Sequence, residues 1–358
     1  MNKTKWLLTL SVPVALGSTL LVSCASQQNE AVDDPTMQTA SNVPEGSTAK
    51  ESAEKTGMTK ASPMDVATYT TDLAFSSEPA AIPVGKPVTW TLKVKDKRSG
   101  QPVKDFETEM TKKMHLIVVK NDLSWFNHLH PTLKANGDFV VTTTLPSDGS
   151  YKIYADYTPE GRAQEVPQHE FATGGKTPTP SSVALTPNNM QGGWLKKKFE
   201  SHPESKPEVK SGATYEVALM PMPTPLKAGQ DSMLHFQIRD AKGKPVKDLQ
   251  PYLGAMGHCV ILSNDTTKYL HSHPMATGVS HDMSKMGGMD MSKMSKTPAP
   301  KSGGPDVIFH TNFPEAGRYK VWGQFQHKGK IITSAFVVNV AAGSTAATKN
   351  DEAKPHSH

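Results

Sequence analysis

The stretch Met114-His115-Leu116-Ile117-Val118-Val119-Lys120-Asn121-Asp122 decides the fold, because the chain carries it twice. It returns as Gly257-His258-Cys259-Val260-Ile261-Leu262-Ser263-Asn264-Asp265, at an offset of 143 residues. Each copy is a short apolar run that ends in a polar Asn-Asp turn, the pattern of a strand entering a hairpin. Asn127-His128-Leu129-His130-Pro131 returns as Leu270-His271-Ser272-His273-Pro274 at the same offset, and Pro102-Val103-Lys104-Asp105 returns as Pro245-Val246-Lys247-Asp248. Farther on, Pro146, Gly149 and Tyr151 match Pro314, Gly317 and Tyr319. There the offset has grown from 143 to 168, an insertion of 25 residues after Pro274.

Around these motifs the chain reads as strands. Val88–Val94, Leu234–Ile238, Tyr151–Tyr157 and Tyr319–Phe325 alternate in the period of two that half-buried strands show. The 358 residues include 28 Pro and 26 Gly, a density that excludes long helices and coiled coils. The fold class expected is therefore all-β: two tandem antiparallel β-sandwiches of about 100 residues each, at 66–173 and 212–341. A formal net charge of +5, mixed along the chain, gives no nucleic-acid footprint. Two cysteines, Cys24 and Cys259, exclude a disulfide-stapled scaffold.

The first residues are an address. Lys3 and Lys5 precede an uncharged, largely apolar run from Trp6 to Val22, the order of parts in a secretory signal. Leu21-Val22-Ser23-Cys24 resembles the lipobox of bacterial lipoproteins. That resemblance implies cleavage before Cys24 and acylation of its sulfur. Several acyl chains would then hold the protein durably to membrane lipid. Residues 1–23 are the expected signal peptide. Residues 24–65, polar and free of aromatics, are an expected disordered tether. Residues 174–211 are an expected linker, and 342–358 an expected disordered tail. Inside that linker, Trp194-Leu195-Lys196-Lys197-Lys198-Phe199 combines apolar residues with three positive charges, read as solvated linker in preference to a lipid contact.

The repeated histidines are the candidate chemistry. A hairpin centred between Asn121 and Asp122 puts His115 opposite His128, with His130 two residues along on the same face. The same construction brings His258, His271 and His273 together in the second copy. Met256 shares their parity and is expected to approach that site, while Cys259 has the opposite parity and should face the core. Three converging imidazoles suit copper, zinc or nickel. One divalent ion per copy is the expectation. Within the insertion lie His281 and six methionines, Met275, Met283, Met286, Met289, Met291 and Met294. Thioethers there suit Cu(I), beside Cu(II) on the histidines.

His-x(12)-His-x-His-Pro, with Pro-Val-x-Asp upstream and a Gly-x-Tyr downstream, resembles a group of bacterial exported proteins with immunoglobulin-like, YtkA-like repeats. In outline the chain is also similar to the CopC type of copper-resistance protein. That type uses a mature N-terminal His, whereas an acylated Cys24 would stand here. The resemblance implies two immunoglobulin-like domains and a link to heavy-metal handling. The function expected is a membrane-tethered, extracytoplasmic copper-binding or copper-trafficking lipoprotein, with zinc as the other ion. A metal-transport or envelope protein is the expected partner, and nucleic acid is not. Two alternatives stand beside it: a structural or protein-interaction module whose histidines serve the fold, and a zinc-dependent hydrolase. The motif places no carboxylate as a general base, so no enzymatic activity is expected.

Overall fold

A computed structural model describes residues 68–180, 183–204, 206–207, 209–210, 212–274 and 301–343. Cys24, the signal, the tether, His281, Met283, Met286, Met289, Met291, Met294 and the tail beyond 343 lie outside them. The described residues belong to one compact unit, Lys55–His358.

The fold is all-β. The first repeat contains β1 (Thr71–Glu78), β2 (Pro87–Asp96), β3 (His115–Lys120), β4 (Phe126–Leu129), β5 (Thr132–Leu133), β6 (Asp138–Thr144), β7 (Ser150–Asp156) and β8 (Gln168–Ala172). They form two four-stranded sheets, β1-β2-β6-β5 and β4-β3-β7-β8. The second repeat contains β9 (Leu195–Glu200), β10 (Thr214–Met222), β11 (Leu226–Lys227), β12 (Asp231–Asp240), β13 (His258–Ser263), β14 (Tyr269–Ser272), β15 (Asp306–Asn312), β16 (Gly317–His327) and β17 (Lys330–Ala341). Its sheets are β15-β12-β10-β9 and β11-β17-β16-β13-β14.

Alternation builds each core. Val88, Trp90, Leu92 and Val94 of β2 point inward, as do Leu234, Phe236 and Ile238 of β12. The strands β3 and β13 differ, because nearly every residue in them is buried. Leu116 and Val118 face the first core, and Cys259 and Ile261 face the second. Ile117 and Val119 face the other way and meet Val260 and Leu262 across the junction between the repeats. A continuous apolar run is what a strand buried on both faces requires.

Internal pseudo-symmetry sets this junction. Phe126 stacks on Trp322 with ring centres 4.9 Å apart, and Tyr154 stacks on Tyr269 at 5.0 Å. Phe126 and Tyr269 are equivalent at the 143 offset, and Tyr154 and Trp322 at the 168 offset. Each repeat thus lends one ring to each stack. Trp322 is 3% exposed, so Trp322→Ala should cost about 3–5 kcal/mol. Chemical denaturation of the full chain would check this. A loss below ~1 kcal/mol would mean that the junction contributes little to stability.

The segment expected as a linker is only partly one. Leu195 buries in the second core, and β9 pairs with β10 along the sheet edge. Leu185 buries at the junction between the repeats. Lys196, Lys197 and Lys198 therefore sit on an edge strand, where charge discourages pairing with another chain.

Candidate metal centre between the repeats

The hairpins carry the histidines to the junction, in a register two residues from the one expected. Ile117 pairs with His128, and Val260 pairs with His271. His115 is therefore level with His130, not opposite His128. The cause is the turn. Leu123 adopts φ +55° and donates its N–H to Lys120 O at 2.7 Å, while Lys120 N–H bonds Trp125 O at 3.1 Å. The loop thus centres between Asp122 and Leu123, and the apolar side chain of Leu123 buries in the junction. Thr266 takes the same place in the second repeat, with φ +61°. A shift of two keeps every side chain on its face, so each trio still shares one side of its sheet.

The structure brings the two trios together. His115, His128, His130, His258, His271 and His273 meet at the junction. The ring centre of His115 lies 5.2 Å from His128, 5.2 Å from His271 and 5.8 Å from His258. His128 lies 5.5 Å from both His258 and His271, and His258 lies 5.6 Å from His271. Four rings, two from each repeat, are thus nearly equidistant, as at the corners of a tetrahedron. A tetrahedral site with metal–nitrogen bonds of about 2.0–2.1 Å places ligand nitrogens about 3.3–3.4 Å apart and ring centres about 5 Å apart. Candidate ligand atoms of His115, His258 and His271 lie within 4.8 Å of one another, as do those of His115, His128 and His130. His115 belongs to both groups.

Hydrogen bonds on the far side of each ring fix its orientation. His115 Nε2 donates to Glu109 O at 3.1 Å, and His258 Nε2 donates to Tyr252 O at 3.0 Å. His128 Nδ1 donates to Gln324 Oε1 at 2.8 Å, and His271 Nδ1 donates to Asp156 Oδ2 at 3.1 Å. All four acceptors are oxygens. A neutral imidazole with one N–H so committed presents a lone pair at its other nitrogen. Those other nitrogens face each other in pairs. His115 Nδ1 lies 3.0 Å from His128 Nε2, and His258 Nδ1 lies 3.4 Å from His271 Nε2. Lone pairs this close repel unless a cation sits among them. Between His115 and His128 a proton is a poor candidate, because burial and then the neighbouring His271 and His130 push the His115 imidazole down to about 3. Burial also holds His128 and His258 well below the ordinary range.

His130 and His273 flank the four. Their rings stand 4.6 Å from His128 and His271, respectively. In each, Nε2 is buried without a hydrogen-bond partner among the described residues. Glu204 Oε1 approaches His130 Nδ1 at 3.5 Å, and Glu109 Oε1 approaches His273 Nδ1 at 4.0 Å. Burial, then the charge of Asp156, raises the Glu109 carboxyl to about 7.

The supporting groups were missed in the sequence, yet the repeat encodes them. Asp156 and Gln324 are equivalent at the 168 offset, and each holds a histidine of the other repeat. Glu109 and Tyr252 are equivalent at the 143 offset, and each offers its carbonyl to a histidine of its own repeat. Asp156 also accepts from Gln164 Nε2 and the Tyr269 hydroxyl. Burial alone would raise its carboxyl, but the bonds from His271 and Gln164 outweigh that and hold it below its usual value.

Met256 does not approach the histidines. It packs in the second core with Leu249 and Cys259, because β13 begins at His258 and its alternation does not reach back to 256. Cys259 is buried in that core as its parity requires.

Solved structures that resemble the chain include the Escherichia coli adhesin FdeC, at 16% identity and a TM-score of 0.22, covering 76% of this chain and 65% of that one. Invasin, a bacterial integrin-binding protein, matches at 13% identity and a TM-score of 0.20, covering 76% and 40%. A putative membrane-anchored protein of Corynebacterium diphtheriae matches at 11% and 0.20, covering 76% and 59%. The chain spans less than two thirds of the length of each. These likenesses concern the sandwich fold, not a ligand or partner. No curated protein matches. The model of a family described as a domain of unknown function, DUF8832, matches residues 66–172 and 208–342, and the chain therefore belongs to that family.

Proposed function

We propose that this chain is an extracytoplasmic metal-binding lipoprotein that holds a Cu(II)- or Zn(II)-class ion between its two repeats. One observation carries the reading: four buried imidazoles, each with its far N–H committed to an oxygen, turn their lone pairs toward one another. Neutral nitrogen donors suit copper above zinc in affinity, and tethering at Cys24 would place the protein where copper is met outside the cytoplasm. No helix among the described residues is long and apolar enough to cross a membrane.

The rings are buried, so an ion there meets protein on every side. Closed sites hold metal structurally, whereas catalytic zinc keeps an open position. That weighs against a zinc hydrolase. It also makes the ion a clasp between the repeats, and delivery to a partner would require them to part.

A second reading, an interaction module with structural histidines, has support of its own. The apolar contact of Ile117, Val119, Val260 and Leu262 joins the repeats without any ion. Thermal unfolding of the full-length protein separates the two readings. Metal in thousandfold excess over its Kd should stabilise by about 4 kcal/mol, and a chelator should reverse this. A melting temperature unmoved by Cu(II), Zn(II) or chelator would favour structural histidines.

A further inference from the structure

The outer sheet of the second repeat carries another set of metal-binding side chains, none of them part of the centre above. Along β10 and β12 the inward residues fill the core, so the alternate ones face out. The outward set includes Met220 and Met222 on β10 and Met233 and His235 on β12. Met220 pairs directly with His235, and Met222 with Met233. Opposed Cβ atoms lie about 4.5–5.5 Å apart, and successive same-face positions about 6.5–7 Å. Three thioethers and one imidazole thus stand at the corners of a small rectangle, within reach of one ion.

The imidazole is oriented for this. His235 Nε2 donates to Asp306 Oδ1 at 2.8 Å, and Gln237 Nε2 steadies the same carboxylate oxygen at 3.0 Å. That commitment leaves Nδ1 as the lone-pair nitrogen. A carboxylate on the far nitrogen is the usual support of a metal-binding histidine. Trp194 packs beside the ring with centres 5.1 Å apart. The Met220 sulfur lies against the adjoining Gly193, 3.8 Å from where a Cβ would stand. An indole next to the donors can add a cation–π contact to a soft monovalent ion. The outer face of the matching first-repeat sheet carries hydroxyls instead: Thr89 pairs with Thr142, and their Oγ1 atoms are 3.1 Å apart.

We infer that Met220, Met222, Met233 and His235, beside Trp194, form a surface site for a soft monovalent ion of the Cu(I) class. Uncharged thioethers select Cu(I) and discriminate against zinc. The inference does not depend on the six-histidine centre, which uses none of these residues.

The test is a titration of the full-length protein, labelled with 13C at the methionine methyls, with Ag(I) as an air-stable substitute for Cu(I). Single Met→Leu variants assign the signals. At saturation the methyls of Met220, Met222 and Met233 should shift. Combined Met220→Leu, Met222→Leu and Met233→Leu should lower Cu(I) affinity at this face at least tenfold, read under argon by competition with a chromogenic chelator. Should that variant fail to fold, the titration of the unsubstituted protein decides alone. If all three methyls stay put while others shift, thioethers elsewhere in the chain bind the ion and the assignment is overturned. The same holds if no methyl shifts.

Discussion

His115→Ala should lower the affinity of the whole chain for Cu(II) or Zn(II) by at least about a hundredfold, since loss of a supporting group alone costs 10–100-fold and His115 would be a ligand. It should not leave an intact second site. His115 is the residue shared by both groups of clustered ligand atoms, so its loss opens the arrangement that includes His258 and His271. Separate sites, one per repeat, would instead lose one ion and retain the other at full strength. Asp156→Asn should give a milder version of the same loss, because it weakens the hold on His271 without removing a ring. Isothermal titration of the variants beside the unsubstituted protein distinguishes these outcomes.

The second large effect is acid sensitivity of the metal-free protein. Burial is the leading cause that lowers His115, His128, His130, His258 and His273. Each binds its proton less readily folded than unfolded. Stability is therefore complete above the unfolded value near about 6.5 and is lost as pH falls toward the folded value, which for His115 is about 3. Glu109 acts in the opposite sense, because its raised carboxyl holds a proton between its ordinary range and about 7 that the unfolded chain gives up. Five imidazoles outweigh one carboxyl. Each tenfold difference in proton affinity between the folded and unfolded chain is worth about 1.36 kcal/mol, so the cluster should cost several kcal/mol between pH 7.5 and pH 5. Urea unfolding of chelator-treated protein at these two pH values gives the answer. Equal stability at both would mean that the imidazoles are not buried as neutral rings.

The sandwiches were legible because alternation, turn residues and the repeat all agreed. Val88–Val94 and Leu234–Ile238 each mark one face of a strand. The histidine trios were legible too, since a period of two keeps His128 and His130 together whatever the register. Their meeting was harder to see. The clue lay in Leu116–Val119 and Cys259–Leu262, whose unbroken apolar character means burial on both faces. A strand in an isolated sandwich with one wet face would alternate. The register slipped because Leu123 looks like a strand residue but sits in the turn with positive φ. Asp156 and Gln324 were invisible as partners, because equivalent positions carry different residues and each acts on the other repeat.

Native mass spectrometry of the full-length protein with Zn(II), an ion that thioethers do not favour, tests the central claim most directly. One composite centre predicts a single tightly held ion per chain. It also predicts that ion's loss in the variant His258→Ala, His271→Ala, which leaves all three first-repeat histidines intact. Two ions per chain, with one surviving in that variant at unchanged affinity, would contradict the account and restore one independent site to each repeat.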